Sequence, residues 1–298
     1  MKKYTDIIRL GHRTTLDVLK VGDLITIEEK IDGANGSFLI ENGELEVYSR
    51  NVQLNENNNL NGFYNWVFKN IDKENLNFRY IYFGEWLIKH KIEYYKENMK
   101  KFYLFDIYDK VTEKYLPFSH VLNEAIRLNI NHVPVFYEGP YRDMKQLEQF
   151  VGQSELGNEG EGIVIKNTGY VNRFGHQMFV KLVREDYQEI KPIVDSTPLA
   201  STVESIWVMS VVTIPRIEKM LYKLIDEGIL DSQYGIEDMG YILKILSGRM
   251  YEDIMKEESD SLPSFYNDKL ILKSLGKILP GLLKSIIRNN TQIIKEGV

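Results

Sequence analysis

The chain contains no cysteine. That absence excludes disulfides, thiol catalysis and the usual structural zinc sites. Histidine is scarce as well: there are five, scattered, and they form no ligand cluster. Any metal is therefore expected to be a hard cation on oxygen ligands. No run of about eighteen apolar residues occurs, and Met1-Lys2-Lys3-Tyr4-Thr5-Asp6 turns polar without the apolar stretch of a signal peptide. A cytoplasmic protein with no membrane association is the expectation. Nor is there the excess of positive charge that bulk nucleic-acid binding favours, because the net charge is -6.

What is present suits a soluble globular protein. At 298 residues and 34.9 kDa the chain exceeds one usual domain, so a large and a small domain are expected. Apolar residues at 43% are enough for a proper core. The charge is uneven: Lys269, Lys273, Lys277, Lys284, Arg288 and Lys295 lie in a stretch with no acidic residue.

Leu24-Ile25-Thr26-Ile27, Ser37-Phe38-Leu39-Ile40 and Leu45-Glu46-Val47-Tyr48 read as strands, the last two joined by a tight turn at Asn42-Gly43. Residues 52–62 are rich in Asn and read as an exposed loop. Residues 79–85 and 101–107 are β-rich, and in each a carboxylate closely follows the apolar stretch. Residues 119–129 have helical spacing, 144–151 repeat it more weakly, and 162–166 and 178–183 read as further strands. The texture changes at residues 191–198, where Pro192 and Pro198 bracket a polar stretch, and the domain boundary is placed there. Beyond it, Ser201-Thr202-Val203-Glu204 resembles a capping box, and Ile217, Met220, Leu221, Leu224 and Ile225 form a helical stripe ending at Gly228. Residues 241–246 and 270–287 read as helical, the latter interrupted by Pro280-Gly281.

The chemistry centres on Lys30, in the run Glu28-Glu29-Lys30-Ile31-Asp32-Gly33-Ala34-Asn35 at the end of a predicted strand. A lysine amine titrates near 10.4 and needs neighbouring cations or a metal before it can attack phosphorus. Gly33 lets the backbone turn closely beside a nucleotide. Lys-x-Asp-Gly alone arises by chance in roughly one of fifteen chains this long, and it also reads as a strand followed by an Asp-Gly turn. The ordered motifs downstream decide between these.

Those motifs are Ser49-Arg50-Asn51, Phe83-Gly84-Glu85, Tyr103-Leu104-Phe105-Asp106-Ile107, Glu161-Gly162-Ile163-Val164-Ile165-Lys166 and Phe179-Val180-Lys181-Leu182-Val183-Arg184. With Lys30 they resemble the covalent nucleotidyltransferase superfamily, and within it the ATP-dependent RNA ligases, particularly the nick-sealing branch of phages and kinetoplastid RNA editing. The resemblance covers roughly residues 24 to 185. It implies an α+β fold: an adenylyltransferase domain of ATP-grasp-like antiparallel sheets, residues 1–192, followed by a small all-α domain, residues 193–298, that contacts RNA.

Site roles follow from the same resemblance. Lys30 matches the adenylylated nucleophile, Glu29 a residue recognising adenine, Asn35 a residue of the nucleotide pocket, and Arg50 a ligand of phosphate or the RNA end. Glu85 matches the glutamate on the ribose hydroxyls, and Phe105 the ring stacked on adenine. Glu161 matches the glutamate near the reacting phosphate and the metal, with Lys166 in the same motif. Lys181 matches a phosphate-binding lysine, but the second lysine usual two positions on is Val183 here. Judged singly, Phe105 also reads as core, Glu161-Gly162 as a turn into a strand, and Lys166 as a solvated or core-edge lysine.

ATP, Mg²⁺ or Mn²⁺, and RNA with 5′-phosphate and 3′-hydroxyl ends are the implied ligands. A DNA ligase or mRNA guanylyltransferase would follow this domain with a strand-rich OB-fold, whereas residues 199–298 read as helical, which favours RNA. A non-catalytic nucleic-acid-binding relative is the other alternative, and Val183 is the feature that supports it. Lys269, Lys273 and Lys277, spaced by four, read either as an RNA-binding stripe or as a solvated helix face.

Overall fold

Alternating apolar residues organise the first half of the molecule into two sheets. The computed structural model describes residues 2–172, 174–184 and 202–295, with side chains as far as 290. They fall in two compact units, Met1–Arg184 and Glu185–Val298. The expected boundary at 192/193 lies outside the described residues.

In the first unit one sheet contains β1 (Ile8–Arg9), β2 (Leu24–Lys30), β9 (Val135–Pro140), β10 (Gly162–Val171) and β11 (Gln177–Val183), in the order β1-β11-β10-β2-β9. The other contains β3 (Ala34–Glu41), β4 (Glu44–Ser49), β5 (Tyr80–Trp86), β6 (Phe102–Asp109) and β7 (Lys114–Tyr115), in the order β4-β3-β5-β6-β7, with β8 (Asn131–His132) beside β6. The main ladders are antiparallel, as expected. The two-residue strands β1 and β8 pair in parallel. Asn42 and Gly43 both have positive φ, the turn that matches strand twist in a two-residue hairpin.

Each sheet buries both faces. Ile25, Ile27, Ile163, Ile165 and Val180 of the first pack against Val18 and Leu147, the latter from α3 (Met144–Glu148). Phe38, Tyr82, Phe102 and Leu104 of the second pack against α1 (Phe63–Asn70) and α2 (Phe118–Leu128). Tyr4, Leu39, Ile81, Phe83, Val164 and Phe179 fill the space between the sheets. Residues 52–62 form a largely exposed loop as expected, anchored by buried Leu54 and Leu60.

The second unit, with no strand among its described residues, contains α4 (Val203–Val211), α5 (Ile214–Asp226), α6 (Met239–Glu257) and α7 (Asp268–Lys295). The cap of α4 is Thr202, whose hydroxyl accepts from Ser205 N at 3.2 Å, and the expected cap Ser201 lies outside the described residues. The expected break at Pro280-Gly281 is corrected: α7 runs through Pro280. Leu275, Leu279, Leu283 and Ile286 are buried on both sides of the proline, so core packing overrides the local helix-breaking tendency. No described helix is long and apolar enough to cross a membrane.

Candidate active site

Register sets the first wall of the site. Lys30 lies opposite Gly162, which lies opposite Val183; Glu28 lies opposite Val164, which lies opposite Lys181; Thr26 lies opposite Lys166, which lies opposite Phe179. Residues directly opposite one another share a face, and neighbours along a strand alternate. Lys30, Glu28, Lys166 and Lys181 therefore share the face of Val164 and Phe179, toward the second sheet. On that sheet Asn35 is in register with Glu85, on the face that carries Leu39 and Phe83. Phe105 has no partner in the β5–β6 ladder: Phe83 pairs with Asp106 and Gly84 with Leu104, so Phe105 forms a bulge that re-aims its side chain. Its ring packs on Tyr4 at 4.7 Å, in the layer between the sheets.

Lys30 Nζ donates to Glu161 Oε2, with side chains 23% and 16% exposed, so the pair is reachable from solvent without being fully solvated. Two glycines allow this approach. A Cβ on Gly162 would overlap the Leu182 carbonyl oxygen and lie 2.7 Å from Val183 Cα. A Cβ on Gly33 would lie 2.7 Å from the Trp86 carbonyl oxygen. Gly33 N instead donates to Glu85 Oε1 at 3.1 Å, which ties the turn after Lys30 to the second wall.

Asp32 is scaffold. Its carboxylate accepts from Lys91 N at 2.8 Å and Ile92 N at 3.0 Å, and its own N donates to Tyr94 Oη at 2.8 Å. Burial alone would raise this carboxyl, but the His90 ring, the Ile92 N–H and the charge of Lys30 outweigh it and hold the pKa below its ordinary value. The aspartate of Lys-x-Asp-Gly thus pins residues 90–94 beside the lysine.

Lys166 is neither solvated nor available as a nucleotide ligand in this arrangement. It is 4% exposed, its Nζ is 2.7 Å from Glu28 Oε2 and 2.8 Å from Asp106 Oδ2, and it donates to the Phe105 carbonyl at 2.6 Å. An ammonium has three donors, and these partners use all three. Tyr4 Oη donates to the same Asp106 oxygen. Burial, with the charges of Lys166 and Asp106 acting in opposite senses, leaves Glu28 raised to about 7. Burial likewise raises Asp106. The ammonium of Lys166 is held above its usual pKa because its two carboxylates outweigh the burial that would lower it. Glu28 and Tyr4 were not picked out from the sequence and Asp106 was noted there without a role, although a charged residue inside an apolar strand is itself a signal that a buried partner exists.

The remaining predicted residues are spread more widely. Glu29 faces away from Lys30, buried, with its carboxylate accepting from Ser154 Oγ at 2.5 Å and Glu155 N at 3.0 Å. Its pKa is raised by burial, against those two hydrogen bonds. Arg50, just after β4, pairs with Asp6 at 2.6 Å and is partly exposed. Val183 points to the Lys30 face, as register requires. Arg184 does not take its place: its guanidinium pairs with Glu159 at 2.5 Å and its stem lies against Gly152, which follows α3. Lys269, Lys273 and Lys277 belong to the second unit, on the exposed face of α7. Among the described residues no group of three or more acidic or histidine side chains could hold a metal by itself.

The family described as RNA ligase matches residues 23–183, more than half of the chain. Among solved structures, a Naegleria gruberi RNA ligase in its apo form is 24% identical with a TM-score of 0.50, over 63% of this chain and 57% of that one. The Naegleria gruberi ligase with AMP and Mn is 23% identical with a TM-score of 0.49, over 63% and 57%. With ATP and Mn, the figures are 21% and 0.48, over 61% and 56%. The first likeness is one of fold, and the chain spans little more than half the length of these structures. No curated protein matches the chain.

Proposed function

The chain belongs to the RNA ligase family, and on that premise we propose that it joins RNA 3′-hydroxyl and 5′-phosphate ends, using ATP, through a lysyl-AMP on Lys30. The observation that carries this reading is the position of Lys30: at the end of β2, paired with Glu161, on the sheet face turned toward the second sheet, whose own inner face carries Asn35 and Glu85.

In the first step Lys30 Nζ attacks the α-phosphorus of ATP. The N–P bond forms, the bond to the bridging oxygen breaks, pyrophosphate leaves, and the amine gives up a proton. Glu161 is the acceptor at hand. The RNA 5′-phosphate then displaces Lys30 from AMP, and the 3′-hydroxyl displaces AMP from the RNA 5′ end. Each step is an in-line displacement, in which positioning and charge stabilisation do most of the catalysis. Phe105 serves as the adenine platform, Glu85 binds the ribose hydroxyls, Asn35 lines the pocket and Lys181 holds phosphate. Arg50 sits at the rim, suited to a phosphate or the RNA end, and Glu29 shapes the adenine side through the 154–155 turn. Lys166 is assigned to positioning.

A Mg²⁺ or Mn²⁺ ion fits the donor set. Mg²⁺ commonly takes one or two carboxylates together with substrate phosphates and water, and Glu161 presents one partly exposed carboxylate at the nucleophile. When bound there, the ion supplies charge neutralisation on the phosphates.

The full chain incubated with ATP and Mg²⁺ is expected to gain the mass of one AMP and to join 5′-phosphorylated RNA strands in preference to DNA. A GMP adduct in a parallel incubation with GTP and Mg²⁺ transfers the assignment to an mRNA guanylyltransferase, and preferential joining of DNA to a DNA ligase. The second reading, a non-catalytic nucleic-acid-binding relative, is favoured by Val183 and predicts no adduct at all.

A further inference from the structure

Two groups of cations in the helical unit contrast. Arg216, Lys223 and Arg249 face carboxylates of Asp253, Glu258 and Glu227. Lys269, Lys273, Lys277, Lys284 and Arg288 on α7 are all exposed, and among the described residues none makes a salt bridge. At 3.6 residues per turn these five fall within an arc of about 100° and extend over about 28 Å of helix. The opposite side of the helix carries buried Ile271, Leu275, Leu279, Leu283 and Ile286. A protein of net charge -6 thus carries a positive ridge along α7 with no salt bridge among the described residues.

A second feature lies at the start of that ridge. Phe265 is 93% exposed, four residues before Lys269, in the segment leading into α7. A ring this exposed offers both of its faces to a stacking partner. A membrane surface does not fit, because an interfacial helix needs an apolar face free to insert and that of α7 is consumed by the bundle. An aromatic ring beside a row of cations suits a polyanion whose unpaired bases can stack.

We infer that the exposed face of α7, with Phe265 at its N-terminal approach, is a docking surface for single-stranded RNA. Phosphates lie along Lys269 to Arg288, and an unpaired base stacks on Phe265. This rests on the proposal that RNA is the substrate, and it extends the lysine stripe read from the sequence to five cations and a stacking platform.

The test measures binding of a fluorescein-labelled, unstructured 5′-phosphorylated oligoribonucleotide to the full chain by anisotropy, across a series of salt concentrations. Each phosphate contact on a single strand contributes about 0.7 to the slope of log K against log salt. Neutralising Lys273, Lys277 and Lys284 to Gln is expected to reduce the slope by about 2 and to weaken binding about 50-fold near 0.15 M salt. Phe265→Ala is expected to weaken binding at least about fivefold with the slope unchanged. All variants are on the surface, and an unchanged circular-dichroism melt shows that they fold. Unaltered slope and affinity in the triple variant, no loss in Phe265→Ala, or binding of anionic vesicles in preference to RNA overturns the inference. AMP adduct formation on the same proteins reports separately: its absence in wild type sinks the ligase reading and leaves the RNA surface to stand on the binding data.

Discussion

At the residue scale, Glu28 shows how an unremarked side chain tunes the cleft. It shares the cleft face with Lys30 and Lys181, and with Asp106 it flanks a single ammonium, so two carboxylates compete for one cation. Burial leads the causes that raise Glu28 to about 7 from an ordinary 4.5. Between those values the folded protein keeps a proton that the unfolded chain has released, so this contribution to stability is complete below about pH 4.5 and is lost as pH rises through about 7. Glu28→Gln, which keeps an uncharged hydrogen-bonding group, is therefore expected to flatten the fall in Tm between about pH 5 and about pH 7.5. An equally steep fall in the variant would show that the proton resides elsewhere. Lys30, Glu85, Glu161 and Lys181 stand out in the sequence as candidates because each sits at a set place in an ordered motif. It did not disclose that Lys166 spends all its donors inside the protein, since that depends on Glu28, Asp106 and the Phe105 carbonyl converging from different strands.

Among elements, that convergence matters most. Lys166 on β10 ties β2, which carries Lys30, to β6, which carries Phe105, across the layer between the two sheets. Lys166→Met leaves two carboxylates facing each other in a buried space, and removing one partner of a buried ionic group typically costs about 3–5 kcal/mol. The expected result is a fall in urea midpoint with AMP adduct formation impaired. Stability within about 0.5 kcal/mol of wild type would mean that the network does not hold the strands. Strand alternation was legible along most of both sheets, as was the Asn42-Gly43 turn. The Phe105 bulge was not, because it arises from pairing with β5 rather than from any residue in β6. The continuity of α7 through Pro280 was hidden for a similar reason: a local rule favours a break, and a buried stripe on both sides outweighs it.

On the scale of the whole molecule, nucleotide chemistry is proposed for one unit and RNA contact for the other. The sheets of the first hold the residues proposed for nucleotide transfer, whereas the second contributes a row of exposed cations along α7. Helical content after residue 201 was readable from apolar spacing. Everything proposed for the first unit depends on Lys30 being the residue that carries the nucleotide. The full chain incubated with ATP and Mg²⁺, digested and mapped by mass spectrometry, is expected to carry AMP on the peptide containing Lys30, and the modification is expected to disappear in Lys30→Ala. AMP on any other lysine, or an unmodified chain with either Mg²⁺ or Mn²⁺ present, contradicts that assignment.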